Sequence, residues 1–269
     1  MNQDFTGKVA LITGVARGLG RATAARLLEH GASVAVNVRD AERAEAVARQ
    51  LGAGAFAVPG DIADAAIVRE IVARTLDRGG RLDILVNNAA LALSTRFERI
   101  SEEEWRRAMD VNVTAPFLLI RAVVPAMKAG GGGRIINISS TAGKSVSTLG
   151  GAHYTTSKAA LLGLTRAAAK ELGPYGITVN AVCPGLIDTE LTRENASPAD
   201  LAGLCPLLPH PAPRPTGRSR GPDLLPRLRP GRLHHRRFSR HQWRRSHGVG
   251  LLVWWHLSPP LDPELSCSA

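Results

Sequence analysis

The feature that most constrains this chain is an alternation. Short apolar runs rich in β-branched residues take turns with longer stretches whose apolar residues recur at helical spacing. "KVALIT" (8–13) is followed by a glycine-punctuated turn and then by "RATAARLLEH" (21–30); Gly31 ends that helix, and "SVAVNV" (33–38) is the next strand. The same alternation predicts helix 41–51, strand 55–59, helix 63–76, strand 82–87, a helix near 102–127, strand 134–139, helix 154–172 and strand 177–183. Mostly apolar strands separated by helices predict a parallel sheet covered on both faces, a three-layer α/β/α doubly wound architecture. In such sheets ligands gather at the carboxyl ends of the strands.

After about Thr192 the pattern stops, and Pro recurs every few residues from Pro206 to Pro230. The expected division is a dinucleotide-binding catalytic domain over 1–204 and an irregular Arg- and Pro-rich tail over 205–269. Charge divides at the same place. The chain of 269 residues carries +11, but from Pro206 onward there are eleven Arg, no Lys and three acids (Asp223, Asp262, Glu264), a net of +8. The body is left with +3, so its composition gives no nucleic-acid signal. Cys183, Cys205 and Cys267 form no metal spacing and no disulfide framework, which fits a reducing compartment. No basic leader precedes a long apolar stretch, and no apolar run approaches the roughly 18 residues of a membrane span. A soluble cytoplasmic protein without a metal or a membrane contact is the expectation.

"TGVARGLG" (13–20) lies between the first strand and the first helix. Gly14, Gly18 and Gly20 permit a tight turn and close approach of a pyrophosphate, while the helix amino terminus through Leu19 offers N–H donors and positive dipole. A structural turn would need fewer glycines; the setting inside a strand–turn–helix–strand unit points to a Rossmann dinucleotide site. The second strand ends in "NVRD". Where an NAD-preferring protein places an acid for the ribose 2′-hydroxyl, this chain has Val38, followed by Arg39, with Arg17 in the glycine loop. Two guanidiniums that can pair with a 2′-phosphate favour NADP(H) over NAD(H). Asp40 keeps NAD open, as does a reading of Arg39 as a solvated helix-start residue.

"YTTSK" places Tyr154 and Lys158 on one face of a helix. An ammonium near a phenol stabilises the phenolate and lowers its pKa, which makes Tyr a usable general acid/base. By itself that spacing more often marks a solvated helix face. "INISS" at the end of the preceding strand changes the weighting, because a Ser hydroxyl there would point into the cofactor cleft.

Taken together, "TGVARGLG", "GDI", "NNAA", "DVN", "INISS", "YTTSK" and "NAVCPGLIDT" occur in the order and approximate spacing of the short-chain dehydrogenase/reductase family. Over roughly 5–192 the chain resembles its single-domain members, among them 3-oxoacyl-carrier-protein reductases and related ketoreductases. The resemblance implies that Tyr154 passes a proton to or from the substrate oxygen and that Lys158 binds the nicotinamide ribose and depresses the Tyr pKa. It implies Ser140, rather than Ser139, as the hydrogen-bond partner of the substrate oxygen, and Asn112 as the residue holding a helix kink and a relay water. Asp61 would meet the adenine, and Ile62, Asn88, Ala89 and Ala90 would also bind the cofactor. Pro184, Gly185, Ile187 and Thr189 would close over the nicotinamide.

Three departures from the family pattern stand out. Ala90 replaces a Gly and adds a methyl beside the cofactor. Tyr154 follows Ser140 by fourteen positions, one more than is common, with Gly150 and Gly151 available to absorb the extra one. The third is the tail, which lacks the family's closing helix and seventh strand. Read one base later, codons compatible with 223–228 give Ile-Cys-Phe-Leu-Ala-Ser. In the same shifted frame 233–236 gives Phe-Ile-Thr-Gly and 241–245 gives Ile-Asn-Gly-Gly, with a stop near Gly250. A frameshift near 204–210 is therefore expected, with the seventh strand missing from this chain. A nucleic-acid-binding arm, with Trp243 stacking on a base, is the lesser reading. The expected activity is hydride transfer between a nicotinamide and a small carbonyl or alcohol substrate; a cofactor-binding remnant without catalysis is the alternative. A homo-oligomer like those of the family is put in question by this carboxyl terminus.

Overall fold

The computed structural model describes residues 4–147 and 149–185. Ile187, Thr189, the expected missing seventh strand and the whole tail assigned to 205–269 lie outside the described residues. Within them are six strands, β1 (Val9–Thr13), β2 (Ser33–Asn37), β3 (Ala55–Ala57), β4 (Ile84–Asn87), β5 (Gly133–Ile138) and β6 (Ile177–Val182). Every pairing is parallel and the spatial order is β3-β2-β1-β4-β5-β6. The chain winds outward from β1 to β3 and then returns to β4 on the other side of β1. A crevice therefore opens between the carboxyl ends of β1 and β4, where the two halves diverge.

The period-two pattern of β1 explains both faces of the sheet. Val9 and Leu11 enter a cluster with Ile71, Leu119, Met127, Ile135 and Ile177, whereas Ala10 and Ile12 enter another with Ala24, Val34, Val36 and Val47. The first cluster is covered by α3 (Ala65–Gly79), α5 (Ala115–Ala129) and α6 (Ala152–Leu172), the second by α1 (Gly18–Glu29) and α2 (Ala41–Leu51). Leu11, Leu85 and Leu119 are fully buried, each contributing about 1.5–3 kcal/mol of transfer free energy.

Start signals are local. The Asp40 carboxylate accepts from the Arg43 N–H at 2.8 Å to cap α2. Asp64 accepts from the Ala66 and Ile67 N–H groups at 2.7 and 3.3 Å to cap α3, and Ser101 accepts from Glu104 N–H at 3.1 Å to cap α4 (Glu102–Met109). Gly80, with φ +71°, closes α3 in the left-handed region.

The helix expected near 102–127 is present but not uniform. Between α4 and α5 the chain makes one π-helical turn, Asp110–Thr114. The combined run Glu102–Ala129 is the one helix among the described residues long and apolar enough to cross a membrane by length and composition. Its Leu119, Val123 and Met127 are instead packed into the core against the sheet.

Candidate active site

The glycine loop follows β1 directly. Gly14 sits at φ +70° and Gly18 at φ +58°, conformations that a side chain would strain. A Cβ on Gly14 would lie 2.8 Å from the Ala89 Cα, and one on Gly20 would collide with the Asn88 amide and lie 2.6 Å from the Gly14 carbonyl oxygen. These two glycines are thus required by the approach of the loop to the end of β4. Asn88 fastens the approach: its Nδ2 donates to the carbonyl oxygens of Thr13 (2.9 Å) and Gly14 (3.1 Å). The Thr13 hydroxyl accepts the N–H groups of Asn88 and Ala89, both at 3.0 Å. From the other side, the Asn37 carbonyl accepts the N–H groups of Gly14 and Val15. Leu19 and Ala90 are half-buried along this crevice.

The amino end of α1 differs from those of α2, α3 and α4. Arg17 occupies its cap position without a side-chain cap bond, and no acid lies in the first turn. Its leading N–H groups and positive dipole end face a loop that glycine holds open, a donor set suited to a pyrophosphate. Val38 at the end of β2 is buried and Arg39 beside it is exposed. The Asp40 carboxylate is engaged as the cap of α2.

Asp61 lies across the crevice, after β3. Burial raises its pKa, but the Ala63 N–H at 3.0 Å and the Arg107 guanidinium at 2.7 Å together hold the carboxyl below its ordinary range, with Arg39 adding a smaller pull. Ile62 turns into the core, 6% exposed, so only its backbone is available to a ligand.

The other half of the site is built where β5 meets α6. Ser139 and Ser140 follow β5, and the structure separates their roles. The Ser139 hydroxyl donates to the Lys158 carbonyl at 2.8 Å and anchors α6. Ser140 is the hydrogen-bond partner of the Tyr154 phenol, and its hydroxyl also accepts the Ala142 N–H at 3.1 Å. The Lys158 ammonium donates to the Ile138 carbonyl at 2.7 Å and stands 5.7 Å from the Tyr154 ring centre. Burial lowers the Lys158 pKa to about 8, opposed by a smaller attraction to Cys183.

Tyr154 departs from the expectation of a lowered pKa. Burial raises the phenol, and the Ser140 hydrogen bond only partly offsets it. The Lys158 ammonium, which donates to the Ile138 carbonyl, does not lower the phenol pKa. Pro184 is stitched to the same loop, its carbonyl accepting the Thr141 N–H at 2.9 Å, and Gly185 follows it.

Asn112 occupies the π turn, 1% exposed. Its Oδ1 accepts the Leu91 N–H at 2.8 Å while its Nδ2 donates to the Leu91 carbonyl and to the Ser157 hydroxyl, both at 2.9 Å. The extra residue of the π turn lets one side chain reach both the loop after β4 and α6. Ser157 in turn donates to the Tyr154 carbonyl at 2.8 Å. Packing calls for glycine at 150 and 151, since a Cβ on Gly150 would lie 2.7 Å from the Tyr154 ring and one on Gly151 2.6 Å from the Thr95 carbonyl oxygen.

Several contributors are invisible to motif reading. Arg107 pairs with Asp61 46 positions away, and the buried His153 pairs with Glu104 49 positions away. Thr13 and Ser157 do sit inside motifs, "TGVARGLG" and "YTTSK", where their hydroxyls are the signal. Arg107, Glu104 and His153 carry no spacing signal.

The family model described as short chain dehydrogenase matches residues 8–200. A 3-oxoacyl-[acyl-carrier-protein] reductase of Synechocystis sp. is 42% identical over 199 residues, covering 72% of this chain and 80% of that protein. A sorbitol dehydrogenase of Cereibacter sphaeroides is 44% identical over 185 residues, covering 68% and 72%. Among solved structures, a 3-ketoacyl-(acyl-carrier-protein) reductase of Brucella melitensis complexed with NADH superposes with a TM-score of 0.68 at 36% identity, covering 71% of this chain and 80% of that one. The α1 terminus without a side-chain cap bond, the glycine cradle against Asn88 and the buried Lys158 fit a nicotinamide dinucleotide, and the chain belongs to the short-chain dehydrogenase family of NAD(P)-dependent oxidoreductases.

Proposed function

We propose that this protein reduces a ketone to a secondary alcohol, with Tyr154 as the proton donor and NADP(H) as the preferred coenzyme. The observation that carries this reading is the convergence of Ser140, Tyr154 and Lys158 at the carboxyl end of β5. The bound coenzyme supplies the hydride. Ser140 orients the substrate oxygen toward the phenol, and the N–H groups of Gly18, Leu19 and Gly20 with Arg17 receive the pyrophosphate. Asp61, held by Arg107, meets the adenine; Ile62, Asn88, Ala89 and Ala90 line its path, and Pro184 and Gly185 border the nicotinamide, with Ile187 and Thr189 assigned the same role.

The raised Tyr154 pKa favours the acid form of the phenol. At neutral pH the phenol carries its proton, so the site stands ready to protonate a developing alkoxide. Lys158, with a pKa of about 8, supplies a positive charge below that pH that stabilises the phenolate left behind. Asn112 holds the loop after β4 and, through Ser157, the backbone of Tyr154.

Coenzyme preference rests on the end of β2. Val38 takes the position where an acid would meet a 2′-hydroxyl and Asp40 accepts the Arg43 N–H as a helix cap, whereas Arg39 is exposed and Arg17 lies in the loop. The relatives named as acyl-carrier-protein reductases and as a sorbitol dehydrogenase support a carbonyl or alcohol substrate of small size at the reacting carbon. The domain of residues 1–204 carries all of this chemistry. Tyr154→Phe decides the central claim: NADPH binding should persist while reduction of a ketone panel falls by about 10³-fold. A variant that still turns over at the parental rate removes Tyr154 from the reaction.

A further inference from the structure

His153 precedes Tyr154 and is completely buried, yet nothing in the reaction uses it. Its Nε2 lies 2.8 Å from a carboxylate oxygen of Glu104 in α4, and its Nδ1 accepts the backbone N–H of Tyr154 at 3.0 Å. A backbone N–H can only donate, so Nδ1 carries no proton. The neutral ring therefore holds its proton on Nε2 and donates it to Glu104. A hydrogen bond from Thr95, and after it the one from His153, keep the Glu104 carboxyl below its ordinary range, in the state that accepts.

This arrangement takes over a task that α6 leaves undone. Gly151 caps α6 without a side chain, and apart from the imidazole the Tyr154 N–H reaches only the Gly151 carbonyl at 3.1 Å. Gly151 packs against the ring, since a Cβ there would lie 2.7 Å from His153 Cε1 and 3.0 Å from its Nδ1. The Gly151 N–H donates to the Leu93 carbonyl at 2.7 Å, which ties the same turn to the loop after β4. Tyr154 is thus held at both backbone groups, its N–H by His153 and its carbonyl by Ser157.

We propose that His153 is a positioning residue for Tyr154, with Glu104 selecting the ring tautomer whose bare Nδ1 holds the Tyr154 backbone and so fixes the phenol against Ser140. The inference rests on the reading of Tyr154 as the proton donor. A purely structural brace between α4 and α6 would have the same contacts with Glu104, and the two ring nitrogens allow the roles to be separated. Asn at 153 retains an acceptor near the Nδ1 position and loses the reach to Glu104. Gln retains the reach to Glu104 and loses the acceptor.

The chain has two tyrosines, so a Tyr175→Phe background makes tyrosinate absorbance a report on Tyr154 alone. In that background the midpoint of H153N stays at the parental value, and that of H153Q rises because the phenol leaves Ser140. Ketone reduction by H153Q falls about tenfold in kcat with NADPH affinity unchanged. Equal midpoints for H153N and H153Q overturn the inference. A second measurement needs no variant: the nitrogen-15 spectrum of the unsubstituted protein shows His153 protonated at Nε2 and bare at Nδ1, and the opposite tautomer overturns the inference. Both the titration and the spectrum read the protein without turnover, so their failure is distinct from a failure of the ketone reductase reading, which the ketone panel tests.

Discussion

The crevice between β1 and β4 and the cluster at the end of β5 are the two halves of the candidate site, and they are held in different ways. The crevice is a backbone structure. Glycines at 14 and 20 allow main chain to approach main chain, and one Asn and one Thr fasten it. The cluster is a side-chain structure, in which Asn112, Ser157, His153 and Ser139 each hold the next group in place. Backbone crevices tolerate many neighbours but almost no added volume. Side-chain relays tolerate volume but lose their function when one donor or acceptor is removed.

The contrast can be broken first at Gly20. Gly20→Val puts branched carbon into the Asn88 amide and the Gly14 carbonyl, and should cost about 3 kcal/mol or more of stability together with dinucleotide binding. Chemical denaturation with a fluorescence titration of NADPH reads both, and unchanged binding would mean that the crevice is not the coenzyme site. Next in size is Asn112→Ala, which strips both Leu91 backbone groups and Ser157 of a partner. A loss of about 2 kcal/mol is expected with a fall in kcat larger than any change in coenzyme affinity. Equal losses in the two would erase the distinction between crevice and relay.

Lys158→Met gives a smaller effect with a definite sign. The folded protein releases the Lys158 proton at a pH of about 8 and the unfolded chain near 10.5. Between those values the unfolded state binds the extra proton, so the parental protein gains stability as pH rises through the window. Lys158→Met should lack that gain and be about 1–2 kcal/mol more stable at pH 7, the benefit of removing a buried charge being trimmed by the lost partner of the Ile138 carbonyl. Denaturation curves at pH 7 and at pH 9.5, below the Tyr154 titration, measure it; parallel pH dependence in parent and variant refutes it. The smallest effect is at Arg39. Arg39→Ala should weaken NADPH about tenfold relative to NADH, roughly 1.4 kcal/mol, and an unaltered ratio of dissociation constants would assign the preference elsewhere.

The same contrast explains what the sequence discloses. The alternation of strand and helix patterns locates all six strands of the described residues to within a few positions, because each buried face writes its own period into the chain. The glycine loop is legible for the same local reason: only glycine meets its conformational and steric demands. Ser140, Tyr154, Lys158 and Asn112 are legible through a family resemblance, and the structure brings the first three together at the end of β5 while Asn112 bridges to them through Ser157. Glu104, His153 and Arg107 cannot be read in this way. Their partners lie 46 or 49 residues away, and pairing across that distance leaves no periodicity in one chain. The direction of the Tyr154 shift is also out of reach, since it depends on how far the fold buries the phenol, which spacing does not show.

The π turn at Asp110–Thr114 has a consequence for the faces of the long helix it interrupts. Each residue of an α-helix advances about 100° around the axis, so one extra residue resets the angular phase of α5 relative to α4. α5 can then aim Leu119, Val123 and Met127 at the sheet while α4, upstream, turns Glu104 toward His153 and Arg107 toward Asp61. Deleting a single residue from the turn would remove that reset and rotate α4 by that same angle. The core would keep its α5 face, and both long-range carboxylate contacts would point elsewhere.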